Sequence, residues 1–143
     1  MKKFFLLFLV FTSTFFYSQN NKIETNKIDP KLVGTWKGSE TDQQIKGITK
    51  YWVLTRFSDG TFSIMFNMIK DCEVNSTVET GQWWVENGKY YELHFYSGNT
   101  DVYTYSFPTK NRVKYKIVDS TIVGETYEFI DTKVFANGEE QEE

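Results

Sequence analysis

Turn-forming pairs divide this chain into short extended runs at Asp59-Gly60, Asn87-Gly88, Gly98-Asn99, Pro108 to Asn111 and Asp119 to Thr121. The last four recur about every 10 or 11 residues, which leaves room for a strand and its reversal and none for a βαβ crossover. The runs between them are rich in Val, Ile, Thr, Tyr, Phe and Trp and carry no 3.6-residue apolar stripe. Strands are expected over roughly 33–39, 48–57, 61–69, 77–85, 89–96, 101–107, 112–118 and 122–130. The fold class is therefore all-β, a single antiparallel up-and-down barrel of about eight strands, with a β-sandwich as the alternative.

The turn chemistry also proposes a register. Asp-Gly and Asn-Gly favour positive φ at both central positions and so type I′ hairpins, while a leading Gly98 suits type II′. A two-residue loop at Asp59-Gly60 sets Phe57, Thr55, Val53 and Tyr51 opposite Phe62, Ile64, Phe66 and Met68, and that face reads as core. The opposite face would carry Trp52, Leu54 and Arg56. At Gly98-Asn99 the same logic sets Phe95 opposite Val102, Leu93 opposite Thr104 and His94 opposite Tyr103. One face of that hairpin is aliphatic; the other is polar and aromatic, with Tyr90, Glu92, His94, Tyr96, Asp101, Tyr103, Tyr105 and Phe107. A two-residue loop at Asn87-Gly88 extends the second face by pairing Trp83 with Glu92 and Val85 with Tyr90.

The ends of the chain read differently. Lys2 and Lys3 precede an apolar run, Phe4 to Phe11, too short to span a bilayer, which is the pattern of a secretory signal peptide over residues 1–18. Residues 19–31 are polar and close on Asp29-Pro30, a flexible lead-in; 32–135 form the barrel domain; the acidic residues within 136–143 form a self-repelling tail. No later stretch reaches the roughly 20 apolar residues of a membrane-spanning helix, so a soluble periplasmic or secreted protein is expected. Losing Lys2 and Lys3 with the leader reduces the 16 basic residues to 14 against 19 acidic ones, a net charge of −5. Nucleic acid is thus not an expected partner, because neutralising phosphates requires a basic surface. The single cysteine, Cys72, cannot build a disulfide framework and reads as a passive, partly buried residue.

With Gly34-Thr35-Trp36 opening the first strand, Arg56-Phe57-Ser58-Asp59-Gly60-Thr61-Phe62 forming a hairpin and Thr80-Gly81-Gln82-Trp83 on a middle strand, the sequence resembles the small bacterial lipocalin-like proteins over residues 33 to about 130. That resemblance implies a cup-shaped barrel in which Trp36 closes one end and Gly34 allows close backbone approach. It also implies an interior that holds a small apolar or amphipathic molecule, or is filled by side chains. Such barrels commonly set an arginine near the last strand against the tryptophan; here the only arginines, Arg56 and Arg112, lie elsewhere. A ligand in the cup would contact Trp83, Glu92, His94, Tyr103 and Tyr105.

No catalytic residue is designated. His94, the only histidine, stands beside Glu92 and could be oriented as a general base, yet no serine or cysteine is placed near it, so a small hydrolase is the weakest of three readings. His94 with Cys72 falls short of a zinc ligand set, and Asp71, Glu73 and Glu125 lack the Asp-x-Asp-x-Asp-Gly loop that binds calcium; neither a metal nor a cofactor is expected. Glu92, Glu125 and Glu128 could converge as a glycosidase pair, though acids on outer strand faces are commoner. Asn75-Ser76-Thr77 has the form of a glycosylation acceptor and reads as loop. Tyr90, Tyr96, Tyr103 and Tyr105 can serve as a binding wall or as an exposed strand face. The readings are a ligand-binding module, a filled barrel that engages a protein or envelope partner of unknown identity, and the hydrolase.

Overall fold

The structure, a computed structural model, describes residues 27–119 and 127–136. The expected leader, most of the lead-in, Ser120 and Thr121 of the last turn, the first part of the expected final strand and the tail from 137 lie outside the described residues. Eight strands follow in order: β1 Gly34–Thr41, β2 Thr49–Arg56, β3 Thr61–Lys70, β4 Glu73–Glu86, β5 Lys89–His94, β6 Thr100–Thr109, β7 Arg112–Asp119 and β8 Glu128–Lys133. Each pairs antiparallel with its neighbour in sequence, and β8 returns to β1, so the sheet closes into an up-and-down barrel rather than splitting into a sandwich. Among the described residues no helix is long and apolar enough to cross a membrane.

Alternation decides what the barrel contains. Trp36, Trp52, Leu54, Arg56, Phe62, Trp83, Tyr90, Glu92, Tyr103, Val113, Tyr115 and Asp131 all point inward and are buried. An eight-stranded barrel has an interior that such side chains can nearly fill. The seam is the weakest lateral pairing. β1 meets β8 only at Trp36–Lys133 and Lys37–Thr132, whereas it meets β2 along its whole length.

One end is sealed. The segment before β1 folds across it: Leu32 is fully buried, Lys27 pairs with Val85, and the Trp36 indole N–H donates to the Leu32 carbonyl at 2.9 Å. Gly34 enters β1 with φ +119°, a conformation closed to side chains with a Cβ. The cation over the Trp36 ring is Lys133 of β8, with Nζ 5.7 Å from the ring centroid. A lysine thus takes the place where the sequence offered no arginine, and the cation–π attraction does not need the guanidinium.

Several expected registers are corrected. At Asp59-Gly60 the loop has three residues, Ser58 to Gly60, because Phe57 N–H donates to Thr61 O at 2.9 Å and Gly60 alone takes positive φ, +84°. The pairs are therefore Arg56–Phe62, Leu54–Ile64, Trp52–Phe66 and Lys50–Met68. A one-residue slip turns a strand over. Tyr51, Val53 and Phe57, expected in the core, are exposed, and Trp52, Leu54 and Arg56 are inside. At the β5–β6 reversal the loop is Phe95 to Gly98, closed by His94 N–H to Asn99 O at 2.9 Å, so Tyr90 faces Tyr103, Tyr91 faces Val102 and Leu93 faces Thr100. The partners change by an even number of residues, and the faces survive: Tyr90, Glu92 and Tyr103 are inside, while Phe95 and Tyr96 are exposed.

Two further features escaped the turn signals. Asp71 and Cys72, at φ +49° and +66°, make a two-residue reversal without glycine, which exposes Cys72 instead of partly burying it. Strand β4 consequently begins at Glu73, and Asn75-Ser76-Thr77 lie in it opposite Met68, Asn67 and Phe66, not in a loop. The final strand runs on to Lys133, beyond its expected end at 130. Of the three glycine-containing pairs, Asn87-Gly88 takes the expected two-residue loop, with φ +50° and +73° and the pairs Trp83–Glu92 and Val85–Tyr90.

Candidate ligand-binding site

Inside the barrel, away from the sealed end, is a cavity of about 240 Å³. At about 30 Å³ per water it has room for roughly eight waters, or for one molecule smaller than a typical drug. Its apolar wall is Trp52, Leu54, Ile64, Phe66, Tyr103, Tyr127 and Phe129, and its polar wall is Gln44, Arg56, Glu79, Glu92, His94, Asp101 and Asp131. A larger, shallower groove of about 770 Å³ lies outside, across β1, β2, β7 and β8. It is walled mainly by outward-facing residues such as Lys37, Tyr51 and Arg112. The inner cavity is the candidate because buried charges and rings converge on it.

At the depth of the cavity lies an ion pair removed from water. Arg56 Nη2 is 3.2 Å from Asp131 Oδ2, and both side chains are essentially inaccessible. Asp131 Oδ1 accepts from the Trp52 indole N–H at 2.8 Å, which fixes the ring against the cavity. Arg56 Nε donates to Tyr90 Oη at 2.9 Å, and Tyr90 in turn donates to Glu92 Oε2. The guanidinium also lies over the Tyr90 and Tyr115 rings, at 4.8 and 5.2 Å from their centroids. A guanidinium remains charged even here. Burial pushes the Asp131 and Glu92 carboxyls above the usual carboxylate range, although Arg56 pulls both back. Tyr90, Tyr103 and Tyr115 are held neutral, chiefly by burial.

The outer part of the cavity is acidic. His94 Nδ1 donates to Glu79 Oε2 at 2.8 Å, while Nε2 lies 3.4 Å from both Glu92 Oε1 and Asp101 Oδ2. Its ring edge meets Phe62, with centroids 5.5 Å apart. Three strands thus place one carboxylate each around one imidazole. Burial alone would lower its pKa, but the hydrogen bond to Asp101, the charge of Glu92 and the hydrogen bond to Glu79 outweigh it and lift the value to about 9. His94 is a cation at neutral pH, and neither ring nitrogen is free to act as a base. Beyond it, Glu40 and Lys50 form a buried pair at 3.1 Å, with Gln44 accepting from Lys50.

The raised value makes a pH prediction. A histidine with a folded pKa near 9 and an unfolded one near 6.5 stabilises the fold fully below about 6.5, and that contribution disappears as pH rises through about 9. Its side chain is partly solvated, so about 1 kcal/mol is expected after screening. Denaturant midpoints taken across this window should fall in the parent and fall less in His94→Gln. Equal slopes would mean that the imidazole is not held as a cation.

Of the five residues expected to contact a ligand, Glu92, His94 and Tyr103 line the cavity together. Trp83 and Tyr105 do not. Trp83 is buried towards the sealed end, its N–H donating to Phe57 O at 3.1 Å, and Tyr105 donates to Asp29 Oδ2 at 2.9 Å in the segment that closes that end. His94 does not face Tyr103 across the strands, as it would have with a shorter loop. Sequence reasoning missed Trp52, Arg56, Phe129 and Asp131. The first two were turned outward by the slipped hairpin; Phe129 and Asp131 fall at or beyond the expected end of the last strand. A usable signal existed in Arg56, the one charged residue on an otherwise uncharged run from Tyr51 to Phe57. No known protein family matches the chain, and no curated protein matches it.

Proposed function

We propose that the protein is an exported, lipocalin-like binding module that holds one small amphipathic molecule inside its barrel. The observation that carries this reading is the cavity between the Trp52, Tyr103 and Phe129 rings and the carboxylates of Glu79, Glu92 and Asp101. A barrel evolved only to be filled would gain by closing such a space with larger apolar side chains, since each void forfeits packing contacts. Here the space is bordered by charges that are costly to keep dry unless something polar meets them. The leader-like residues 1–18 support export, and the tryptophan-sealed end with its Gly34-Thr35-Trp36 opening supports the lipocalin-like assignment.

The test is a titration with a neutral probe of the right size. Tyrosol, 4-(2-hydroxyethyl)phenol, should shift the Trp52 indole N–H resonance saturably at millimolar concentration or below. Leu54→Trp, which fills the cavity from β2, should weaken that affinity at least about tenfold, equivalent to 1.4 kcal/mol, while retaining the sheet spectrum. A linear, unsaturable response of the parent to tyrosol and to its amine and carboxylate analogues alike would remove the reading.

A further inference from the structure

The charges around the cavity do not balance. Four carboxylates border it, on Glu79, Glu92, Asp101 and Asp131, against two cations, Arg56 and His94. Arg56 is matched by Asp131 at 3.2 Å. What remains is one imidazolium among three carboxylates on three strands, an excess of two negative charges if all are ionised. These groups sit beside aromatic faces, where a cation gains further from ring quadrupoles and loses less to solvent than at an open surface. The remaining polar signal is at the depth: Arg56 Nη1 is buried and has no hydrogen-bond partner among the described residues, although its side chain borders the cavity. A buried donor without an acceptor has lost its hydration unreplaced and is relieved by an oxygen brought to it.

Resting on the binding function proposed above, we infer that the occupant is a small aromatic amine, its protonated nitrogen seated among Glu79, Glu92 and Asp101 and an oxygen acceptor at its other end directed towards Arg56. His94 is then the resident cation of the same acidic ring. It occupies the carboxylates when the cavity is empty and competes with the ligand ammonium when it is full. Trp52 and Phe129, packed edge to face with centroids 5.2 Å apart, supply the apolar wall for the ring of the ligand. A cation at this position also favours the ionised form of Glu92, which burial otherwise disfavours, so binding should release protons from the protein. An anionic ligand of the same shape would meet three carboxylates and be rejected, which makes the cavity selective by charge as well as by size.

Three probes that differ only in the terminal group decide the matter: tyramine, tyrosol and 3-(4-hydroxyphenyl)propionate, titrated by calorimetry into the intact protein at neutral pH. The expected order is amine tightest, alcohol at least about tenfold weaker, and acid weakest. Added salt should weaken tyramine and leave tyrosol nearly unchanged, a comparison that needs no variant to fold. Glu79→Gln with Asp101→Asn should remove most of the preference for the amine, and His94→Gln should increase it by removing the competing cation. Tyrosol binding as tightly as tyramine, or the acid binding best, would overturn the charge inference and leave the binding function standing. Saturation by none of the three would overturn both.

Discussion

Replacing Arg56 with methionine is expected to cost about 3–5 kcal/mol of folding stability, the range seen when one member of a buried ion pair is removed. The loss does not measure the attraction between Arg56 and Asp131. It measures what remains: Asp131 with no exposure and only the Trp52 N–H as a donor, and Tyr90 without the N–H that orients it. Because small domains are stable by about 5–15 kcal/mol, the variant should be marginal. Its Asp131, already raised above the usual range by burial, would rise further without the guanidinium and take up a proton in the folded state. Arg56→Met should therefore lose least at acid pH and become less stable as pH rises through the shifted Asp131 value. The double variant Arg56→Met, Asp131→Leu should recover most of the loss, since an apolar pair of similar volume needs no counter-charge. Chemical denaturation of the parent, Arg56→Met and the double variant gives the required differences. A single-variant cost below about 1 kcal/mol would mean that Arg56 reaches water.

Gly81→Ala should be nearly as damaging for an unrelated reason. Gly81 lies in the middle of β4 between Phe62 on β3 and His94 on β5, and a Cβ there would stand 2.0 Å from the Leu93 carbonyl oxygen and 2.4 Å from Phe62 Cε1. The first of these is backbone fixed by the ladder and cannot swing aside. Overpacking usually costs about 1–3 kcal/mol; with a backbone atom in the way, about 3 kcal/mol or more is expected. Gly47→Ala is the comparison, for no atom lies within 4 Å of its added methyl and only its φ of +79° is strained, worth about 1 kcal/mol. Thermal or denaturant unfolding should separate the two clearly. Similar costs at both positions would show that β4 and β5 are not packed as described.

These residues also show how far the sequence could be read. The barrel was legible because strand length, turn spacing and β-rich runs agree, and no single turn had to be right for the strands to close. Register was harder. Asn87-Gly88 admits positive φ at both positions and took the expected two-residue loop, but Asp-Gly serves equally in a three-residue loop where only the glycine is left-handed. The two-residue loop read from Asp59-Gly60 also gave a plausible core face of Phe57, Val53 and Tyr51, which is more apolar than the face the protein buries. What reversed that preference is the long-range partner of Arg56: Asp131 is 75 residues away, and a local pattern cannot show that a charge will be matched inside.

The polar-aromatic face of β5 and β6 had the opposite outcome. Its loop was misread, yet the slip was even, so Tyr90, Glu92, His94 and Tyr103 remained on one face. Whether that face pointed inward was open from the sequence, because tyrosine is at home on either side of a sheet. Closure decides it: Tyr90, Glu92 and Tyr103 are inside the barrel, and apolar residues that looked like core, Val53 and Phe57 among them, are on the outside. The same inversion explains why Trp83 and Tyr105 looked like ligand contacts. They share the inward face, but they lie towards the end that residues 27–32 cover.

The most direct test of the account is where a bound probe sits. In a nuclear Overhauser spectrum of the protein saturated with tyrosol, the probe protons should give cross-peaks to the Trp52, Tyr103 and Phe129 rings and none to Tyr51 or Val53. Cross-peaks to Tyr51 and Val53 without those to Tyr103 would place the probe on the outer wall and contradict the inward-facing site.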